Sequence, residues 1–165
     1  MRFPQVTGSN LLRQKVTLPD DLRGELNILF VAFYQWHQAQ VDSWIPLARQ
    51  LEQSFPGVQF YEIPVIQKMN VISKTFINEG MRAGIPNQTT REKTITLYID
   101  KEEFRRALDI PNEENIWVLV LDRQGNVLWR IDGAYSQEKG DALFKAVQEN
   151  SDMNKSVSSS DSKTT

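Results

Sequence analysis

The sequence predicts an α/β domain in which a central mixed β-sheet is flanked by helices. Apolar runs of strand length alternate along the chain with stretches whose apolar residues recur every three or four positions, and this pattern is typical of strands that alternate with helices. The last two strands follow each other directly, so at least one antiparallel pair joins the parallel strands. The chain of 165 residues is long enough for one such domain.

The chain opens with a predicted β-hairpin. Residues Phe3–Val6 and Lys15–Leu18 have the composition of two short strands, and the segment Gly8–Asn10 between them is a turn signal. An unbroken apolar run follows at Asn27–Phe33. Its length and composition predict a strand that is covered on both faces.

A helix is predicted after this strand, ending at about Phe55. Its apolar residues recur at spacings of three and four, which places them on one buried face. Pro46 lies inside this pattern and should bend the helix. The residues of the predicted buried face are Val41, Trp44, Ala48, Leu51 and Phe55.

The middle of the chain continues the alternation with strands at Val58–Val65 and Thr94–Ile99. A helix is predicted between them, from about Lys68 to Gly80. A short helix follows Asp100, because Asp100 and Glu103 have the spacing of a capping box, in which side chains satisfy backbone N–H groups at the start of a helix.

A closing hairpin is predicted from Ile116–Leu121 and Val127–Ile131, which flank a turn that contains Gly125. Ser136 is the predicted N-cap of the last helix. The inner face of that helix is formed by Leu143, Ala146 and Val147.

The predicted domain covers residues 1–149, and residues 150–165 are predicted to form a disordered tail. The tail is rich in Ser and Thr, and its only apolar side chains are Met153 and Val157. These two side chains cannot bury enough surface to offset the entropy that the tail would lose on ordering.

Composition excludes several classes of function. With 19 Lys and Arg against 21 Asp and Glu, the chain carries a net charge of −2, so it has no basic field for nucleic acid or an anionic membrane. The absence of cysteine excludes disulfides, thiolate metal sites and thiol nucleophiles. We expect no metal and no cofactor. No segment resembles a membrane span or a signal peptide, so we expect a soluble, cytoplasmic protein.

Four segments carry a resemblance to a known superfamily. They are Phe3–Gly8 near the start, Ile28–Phe33 before the first long helix, Pro46 within it, and Val118–Arg130 at the closing hairpin. In this order they resemble the thioredoxin-like superfamily, in the peroxiredoxin and cytochrome-maturation branch that carries an N-terminal hairpin and a strand–helix insert. The resemblance covers about Phe3–Val147 and implies a thioredoxin-like sandwich.

The redox residues of that superfamily have no counterpart in this chain. One ungapped alignment places the two redox cysteines at Gln38 and Val41, and another places them at His37 and Gln40. The buried acid of thioredoxins falls at Ala32. Neither alignment supplies a sulfur atom, and thiol–disulfide exchange requires one.

The proline that docks substrates in thioredoxins is also missing. Its cis peptide bond would fall near Ile116, and Pro111 comes too early in the chain to replace it. We therefore expect neither oxidoreductase nor peroxidase activity, and we expect that the protein is not an enzyme.

A closer resemblance lies within the same superfamily. The stretches Trp36–Trp44, Gly80–Arg82 and Gly125–Trp129 are similar to the mitochondrial ATP-synthase assembly factors. Those proteins chaperone a membrane-embedded subunit of the proton channel and do not depend on an active dithiol. The resemblance implies an assembly factor or chaperone for a membrane complex, which would sit at the membrane through its partner. The N-terminus is not transit-like, so we expect a bacterial relative.

The best candidate site is the loop that corresponds to the redox loop. Ligands of α/β sheets bind beyond the carboxyl ends of the strands, and an exposed Trp36 there would anchor a protein partner. Packing of Trp36 against the sheet or the first helix is the alternative. Met81 would be an adaptable apolar contact, unless it only ends a helix. The predicted partner-binding residues are Tyr34, Trp36, His37, Gln38, Ala39, Gln40 and Met81.

His37 is the only histidine of the chain and supports a competing hypothesis. A small-molecule reductase or transferase could use it as an acid or base in the same cleft. Such chemistry would need a nucleophile or an orienting carboxylate nearby, and an exposed loop histidine is the expectation instead. A purely structural subunit is a third hypothesis, and it would form a stable oligomer.

Overall fold

The structure, a computed structural model, describes residues 1–68 and 92–163, with the backbone alone for residues 154–163. Residues 69–80 of the helix predicted from about Lys68 to Gly80, and the candidate contact Met81, lie outside the described residues. The strands are β1 (Val6–Asn10), β2 (Lys15–Leu18), β3 (Leu26–Ala32), β4 (Val58–Gln67), β5 (Ile95–Ile99), β6 (Trp117–Asp122) and β7 (Val127–Asp132). The helices are α1 (Gln38–Ser54), α2 (Lys101–Ala107) and α3 (Gln137–Lys163), and a 3-10 turn spans Gln35–His37.

The strands form one mixed sheet, as the sequence predicts. Its order is β2-β1-β5-β4-β3-β6-β7. The central strands β3, β4 and β5 are parallel to one another, and the strands on either side pair antiparallel. The parallel strands end at one edge of the sheet, where the loop after β3 leads into α1.

Strand β3 is covered on both faces, as its unbroken apolar run predicts. Leu29 and Val31 belong to the core that β3 shares with α2, whereas Ile28 and Phe30 belong to the core beneath α1 and α3. The side chains alternate between the two cores because successive residues of a strand point to opposite faces.

The predicted face of α1 is confirmed. Val41, Trp44, Ala48 and Leu51 are buried, and Pro46 lies inside the helix. Phe55, the fifth residue of the predicted face, follows the helix and is only half-buried. The caps are confirmed as well. The side chain of Asp100 accepts a hydrogen bond from the Glu103 amide at 3.2 Å, and Ser136 accepts one from the Lys139 amide at 3.2 Å.

The turn of the opening hairpin was placed wrongly. Gly8, Ser9 and Asn10 lie within β1, and the chain reverses after Asn10. The Asn10 side chain accepts hydrogen bonds from the amides of Leu12 at 2.9 Å and Gln14 at 3.0 Å. Gly8 is needed for a different reason, because a Cβ atom at this position would collide with backbone of β5.

Helix α3 continues to Lys163, beyond residue 149, where the composition predicted a disordered tail to begin. No proline or glycine interrupts residues 150–163, so nothing in the sequence forces the helix to stop there. Val147 is the last buried apolar residue among the described side chains of α3. The domain boundary at 149 stays a prediction.

Candidate functional site

The candidate loop lies where the sequence placed it, beyond the carboxyl end of a central strand. It leaves β3 at Ala32, passes through the 3-10 turn Gln35–His37 and enters α1 at Gln38. Strand β3 lies between β4, which is parallel to it, and β6, which is antiparallel to it. The loop therefore sits at the end of the sheet that α/β proteins use for ligands.

The two aromatic residues at the start of the loop are exposed. Trp36 is 59% exposed and Tyr34 is 48% exposed. Their rings are nearly parallel, at an interplanar angle of 8° and a centroid distance of 6.3 Å. We call this pair the aromatic platform. The alternative in which Trp36 packs away from solvent is wrong.

The platform is held in place by two neighbours. The Trp36 ring packs against the edge of His37 at a centroid distance of 4.3 Å. On the other side, the ammonium group of Lys101 lies 4.3 Å from the centre of the Tyr34 ring. A cation over an aromatic ring is an attractive arrangement, so both rings have fixed surroundings without being buried.

His37 is fully buried, so its expected exposure is wrong. Its Nδ1 atom accepts a hydrogen bond from the Phe33 amide at 2.9 Å, and Nε2 lies 3.3 Å from the Glu114 carbonyl oxygen. This pairing places the single ring proton on Nε2. Burial is the largest cause that lowers the pKa of His37, and the charge of Lys101 adds to it, while the Glu114 carbonyl opposes them.

The geometry of His37 is that of a support for the loop. Both ring nitrogens are engaged with backbone groups, and no side-chain carboxylate of the described residues bonds to either one. A general base needs a free nitrogen within reach of its substrate. The hypothesis of a small-molecule enzyme requires His37 to act as an acid or base. The hydrogen bonds of both ring nitrogens to backbone therefore give this hypothesis no support.

Gln40 occupies one of the positions at which the superfamily resemblance places a redox cysteine, and it joins α1 to the loop before β6. Its side-chain oxygen accepts a hydrogen bond from the Ile116 amide at 2.9 Å. Its amide group donates to the Asn115 side chain at 2.9 Å. The backbone N–H of Ile116 is thus used within the chain.

Gln38 occupies another such position, in the first turn of α1. Its amide group donates hydrogen bonds to Asp42 at 2.8 Å and to Glu62 at 2.9 Å. Burial raises the pKa of Glu62, and the nearby charge of Asp42 adds to this rise. Ala39, between the two glutamines, is exposed.

Several residues of the site could not be found from the sequence. Lys101 donates to the Phe33 carbonyl at 2.6 Å and pairs with Glu113 at 3.4 Å, and Arg105 pairs with the same carboxylate at 3.1 Å. A hydrogen bond to Glu113 is also the largest cause that raises the pKa of Tyr34. These residues lie far from the loop in sequence, and neither the charged residues of α2 nor Glu113, in the loop before β6, carries a sequence signal of such contacts.

Tyr135 is a further exposed aromatic residue at this end of the sheet. Its amide donates to the Ser43 hydroxyl at 3.0 Å, and its ring meets Trp44 edge-on at a centroid distance of 5.5 Å. Trp44 itself is fully buried and donates to the Gly133 carbonyl at 3.0 Å. The loop after β7 is thereby joined to the first turns of α1.

Neither a metal site nor a membrane-spanning helix is found in the part of the chain that the structure describes. No group of three or more His, Asp or Glu side chains there is arranged to hold a metal ion. None of the helices in these residues is long and apolar enough to cross a membrane.

Comparison with known proteins identifies the family. The sequence profile described as ATP10 protein matches residues 1–149. The chain belongs to the ATP10 protein family. No curated protein matches the sequence closely enough to count as a relative.

Solved structures with the same fold as this ATP10 family member come from redox and assembly proteins. A protein described as the thiol:disulfide interchange protein DsbE from Chlorobium tepidum is 17% identical, with a TM-score of 0.56, over 91% of this chain and 95% of its own. The exposed lipoprotein thioredoxin of Streptococcus pneumoniae is 12% identical, with a TM-score of 0.56, over 88% and 99%. BsSco, of the Sco family of cytochrome c oxidase assembly proteins, is 15% identical, with a TM-score of 0.60, over 91% and 93%.

These identities are low, so the likeness shows the fold alone, which is thioredoxin-like as the sequence predicts. This ATP10 family member has no cysteine and so has no thiol with which to carry out disulfide exchange. Glutamine and alanine side chains fill the first turn of α1 instead.

Proposed function

We propose that this chain is a non-catalytic binding module that takes part in the assembly of ATP synthase. Membership of the ATP10 protein family supports the assembly role. The observation that carries the binding role is the aromatic platform, in which Trp36 is 59% exposed at the end of the sheet. A protein subunit of the complex is the proposed partner, and it would keep the module peripheral to the membrane.

Binding would proceed by reversible burial of apolar partner surface against the platform. Tryptophan and tyrosine are enriched among the residues that dominate binding energies, because they bury a large area with few rotatable bonds. His37 and Lys101 hold the two rings before the partner arrives. A side chain that is already fixed loses less entropy on binding, so the platform suits this task.

The proposed lack of catalysis rests on the side chains of the site. The chain supplies no thiol, and both nitrogens of His37 are engaged with backbone. The amide groups of Gln38 and Gln40 are neutral and bonded to neighbouring side chains. None of these groups is placed as a nucleophile, an acid or a base.

The test is the replacement Trp36→Ala in cells that lack the native protein. The amount of assembled ATP synthase, measured on native gels, should fall, because loss of the indole is expected to weaken partner binding at least about tenfold. The matched control is Leu128→Ala, which removes another exposed apolar side chain. Leu128 lies on β7, towards the opposite end of the sheet.

Circular dichroism and urea unfolding should show that both variants are folded. Both variants should also be present in the cells at the same level. Equal restoration of ATP synthase by Trp36→Ala and by the wild-type chain would contradict the proposed role of the platform. Loss of assembly with both variants would also contradict it, because the effect would then not be specific to this end of the sheet.

A further inference from the structure

The ring of Tyr34 is connected to the loop before β6 through one charged side chain. The ammonium group of Lys101 lies 4.3 Å from the centre of this ring, and it donates a hydrogen bond to the Phe33 carbonyl at 2.6 Å. Glu113, in the loop, pairs with the same ammonium group at 3.4 Å. Three contacts therefore fix the Lys101 ammonium group beside Tyr34, and Glu113 supplies the negative charge among them.

The ring of Trp36 is connected to the same loop through His37. The two rings meet at a centroid distance of 4.3 Å, and Nε2 of His37 lies 3.3 Å from the carbonyl oxygen of Glu114. Glu114 follows Glu113 directly in the sequence. Two neighbouring residues of one loop thus support the two rings of the platform, one through its carboxylate and the other through its backbone.

The loop itself is fastened to both flanking helices. Arg105 of α2 pairs with Glu113 at 3.1 Å and donates a hydrogen bond to the Pro111 carbonyl at 3.2 Å. Gln40 of α1 accepts a hydrogen bond from the Ile116 amide at 2.9 Å. A loop that is fixed at both ends gives the Glu113 carboxylate a defined position.

We propose that Glu113 is a positioning residue of the aromatic platform, which holds Lys101 beside the Tyr34 ring and acts on the partner only through these two side chains. The proposal rests on the proposed function, because it names the residue that positions the same platform. The Glu113 side chain is only 18% exposed. No other carboxylate of the described residues pairs with Lys101 or with Arg105, so both cations would lose their counter-charge with it.

Loss of the Glu113 charge should free the platform. An ammonium group without a counter-charge favours water over a partly buried position, so Lys101 should leave the Tyr34 ring. The ring would then lose the cation that attracts it, and its parallel arrangement with Trp36 would be populated less. Because apparent affinity falls with the populated fraction of the binding-competent state, a fall of that fraction to about a third weakens binding about threefold.

The test is Glu113→Gln, which keeps the size of the side chain and removes its charge. Binding is measured in cells as the yield of ATP synthase subunit crosslinked to a benzophenone amino acid at position 39, and this yield should fall at least about threefold. Lys101→Met should have the same effect. The double variant should lose no more than either single variant, because both act through one contact.

The matched control is Glu102→Gln on α2. It removes the ion pair of Glu102 with Arg106, in which both side chains are 72% exposed. This variant should keep the wild-type yield, because the pair has no contact with the platform among the described residues. Urea unfolding should show that all of these variants are folded.

A spectroscopic signature separates positioning from a general loosening of the fold. Fluorine NMR of the chain labelled with 3-fluorotyrosine reports its four tyrosines, and the line that is missing from Tyr34→Phe belongs to Tyr34. In Glu113→Gln this line should shift while the other three stay in place. The pKa of Tyr34 should fall as well, because the hydrogen bond to Glu113 and the charge of Glu113 are the two largest causes that raise it.

Three results would overturn the proposal and leave the platform intact. The first is a crosslink yield that Glu113→Gln leaves unchanged while Trp36→Ala lowers it. The second is a pair of losses that add up in the double variant, and the third is a Tyr34 line that does not respond to Glu113→Gln. No adduct with the wild-type chain, or a yield that Trp36→Ala does not lower, would contradict this proposal and the proposed function together.

Discussion

Trp36 and His37 are neighbours in the sequence but have opposite surroundings, since the first is 59% exposed and the second is fully buried. They lie in a 3-10 turn, in which successive side chains point about 120° apart. One side chain therefore faces solvent when the next faces the sheet. The sequence shows two aromatic residues in a polar stretch and does not show which of them points inward.

The support that His37 gives the loop depends on its neutral form. Its Nδ1 atom accepts from the Phe33 amide, and protonation of Nδ1 would replace this acceptor with a donor. The spacing of four residues between Phe33 and His37 is the only sequence signal of this contact. Such a spacing is too common to have identified it.

Stability should depend on pH through His37. Burial lowers the pKa of His37 below its ordinary value of 6.5, so between the two values the unfolded chain binds more protons than the folded chain. The contribution of neutral His37 to the free energy of unfolding should therefore be complete above about pH 6.5. It should fall as the pH drops towards the lowered pKa. Urea unfolding at about pH 7.5 and about pH 5.5 measures this change.

The control for this pH dependence is His37→Gln, which has a side chain that does not titrate. The variant should be less stable at the higher pH and should lose less stability between the two values than the wild-type chain. Comparison of the two chains removes the contributions of other groups, including Glu62, whose pKa is raised. Identical pH dependence in both chains would show that His37 is not the responsible group.

At the scale of secondary structure, most elements could be predicted because their signals are local. The strands follow from apolar runs, α1 from its repeat of three and four, and α2 from the capping residues Asp100 and Glu103. The opening turn could not be placed because glycine has two uses. It permits a turn, and it also permits a close approach of two backbones, which is its role at Gly8.

The replacement Gly8→Ala should destabilise the sheet where β1 meets β5. The added methyl group would meet the Thr96 carbonyl oxygen, which belongs to the backbone and cannot move aside alone. We expect a loss of about 1–3 kcal/mol in the free energy of unfolding, as for other overpacked sites. The matched control is Ser9→Ala on the same strand, where a Cβ atom is already present, and equal stability of the two variants would contradict this account.

At the scale of the whole molecule, the fold is thioredoxin-like, and the loop at the carboxyl end of β3 presents an exposed aromatic platform. The absence of thiol chemistry follows from the sequence alone, because the chain has no cysteine. The exposed platform and the buried His37 do not follow from it. They depend on contacts between α1, α2 and the loop before β6, which only the folded chain brings together.

The most direct test of the central claim is photo-crosslinking in cells from a benzophenone amino acid at position 39. Ala39 is exposed beside the platform, and a matched probe at Leu128 serves as the control. We predict a dominant adduct with a subunit of ATP synthase from position 39 and none from position 128. The same adducts from both positions, or no protein adduct from a folded chain that carries the probe at position 39, would contradict the account.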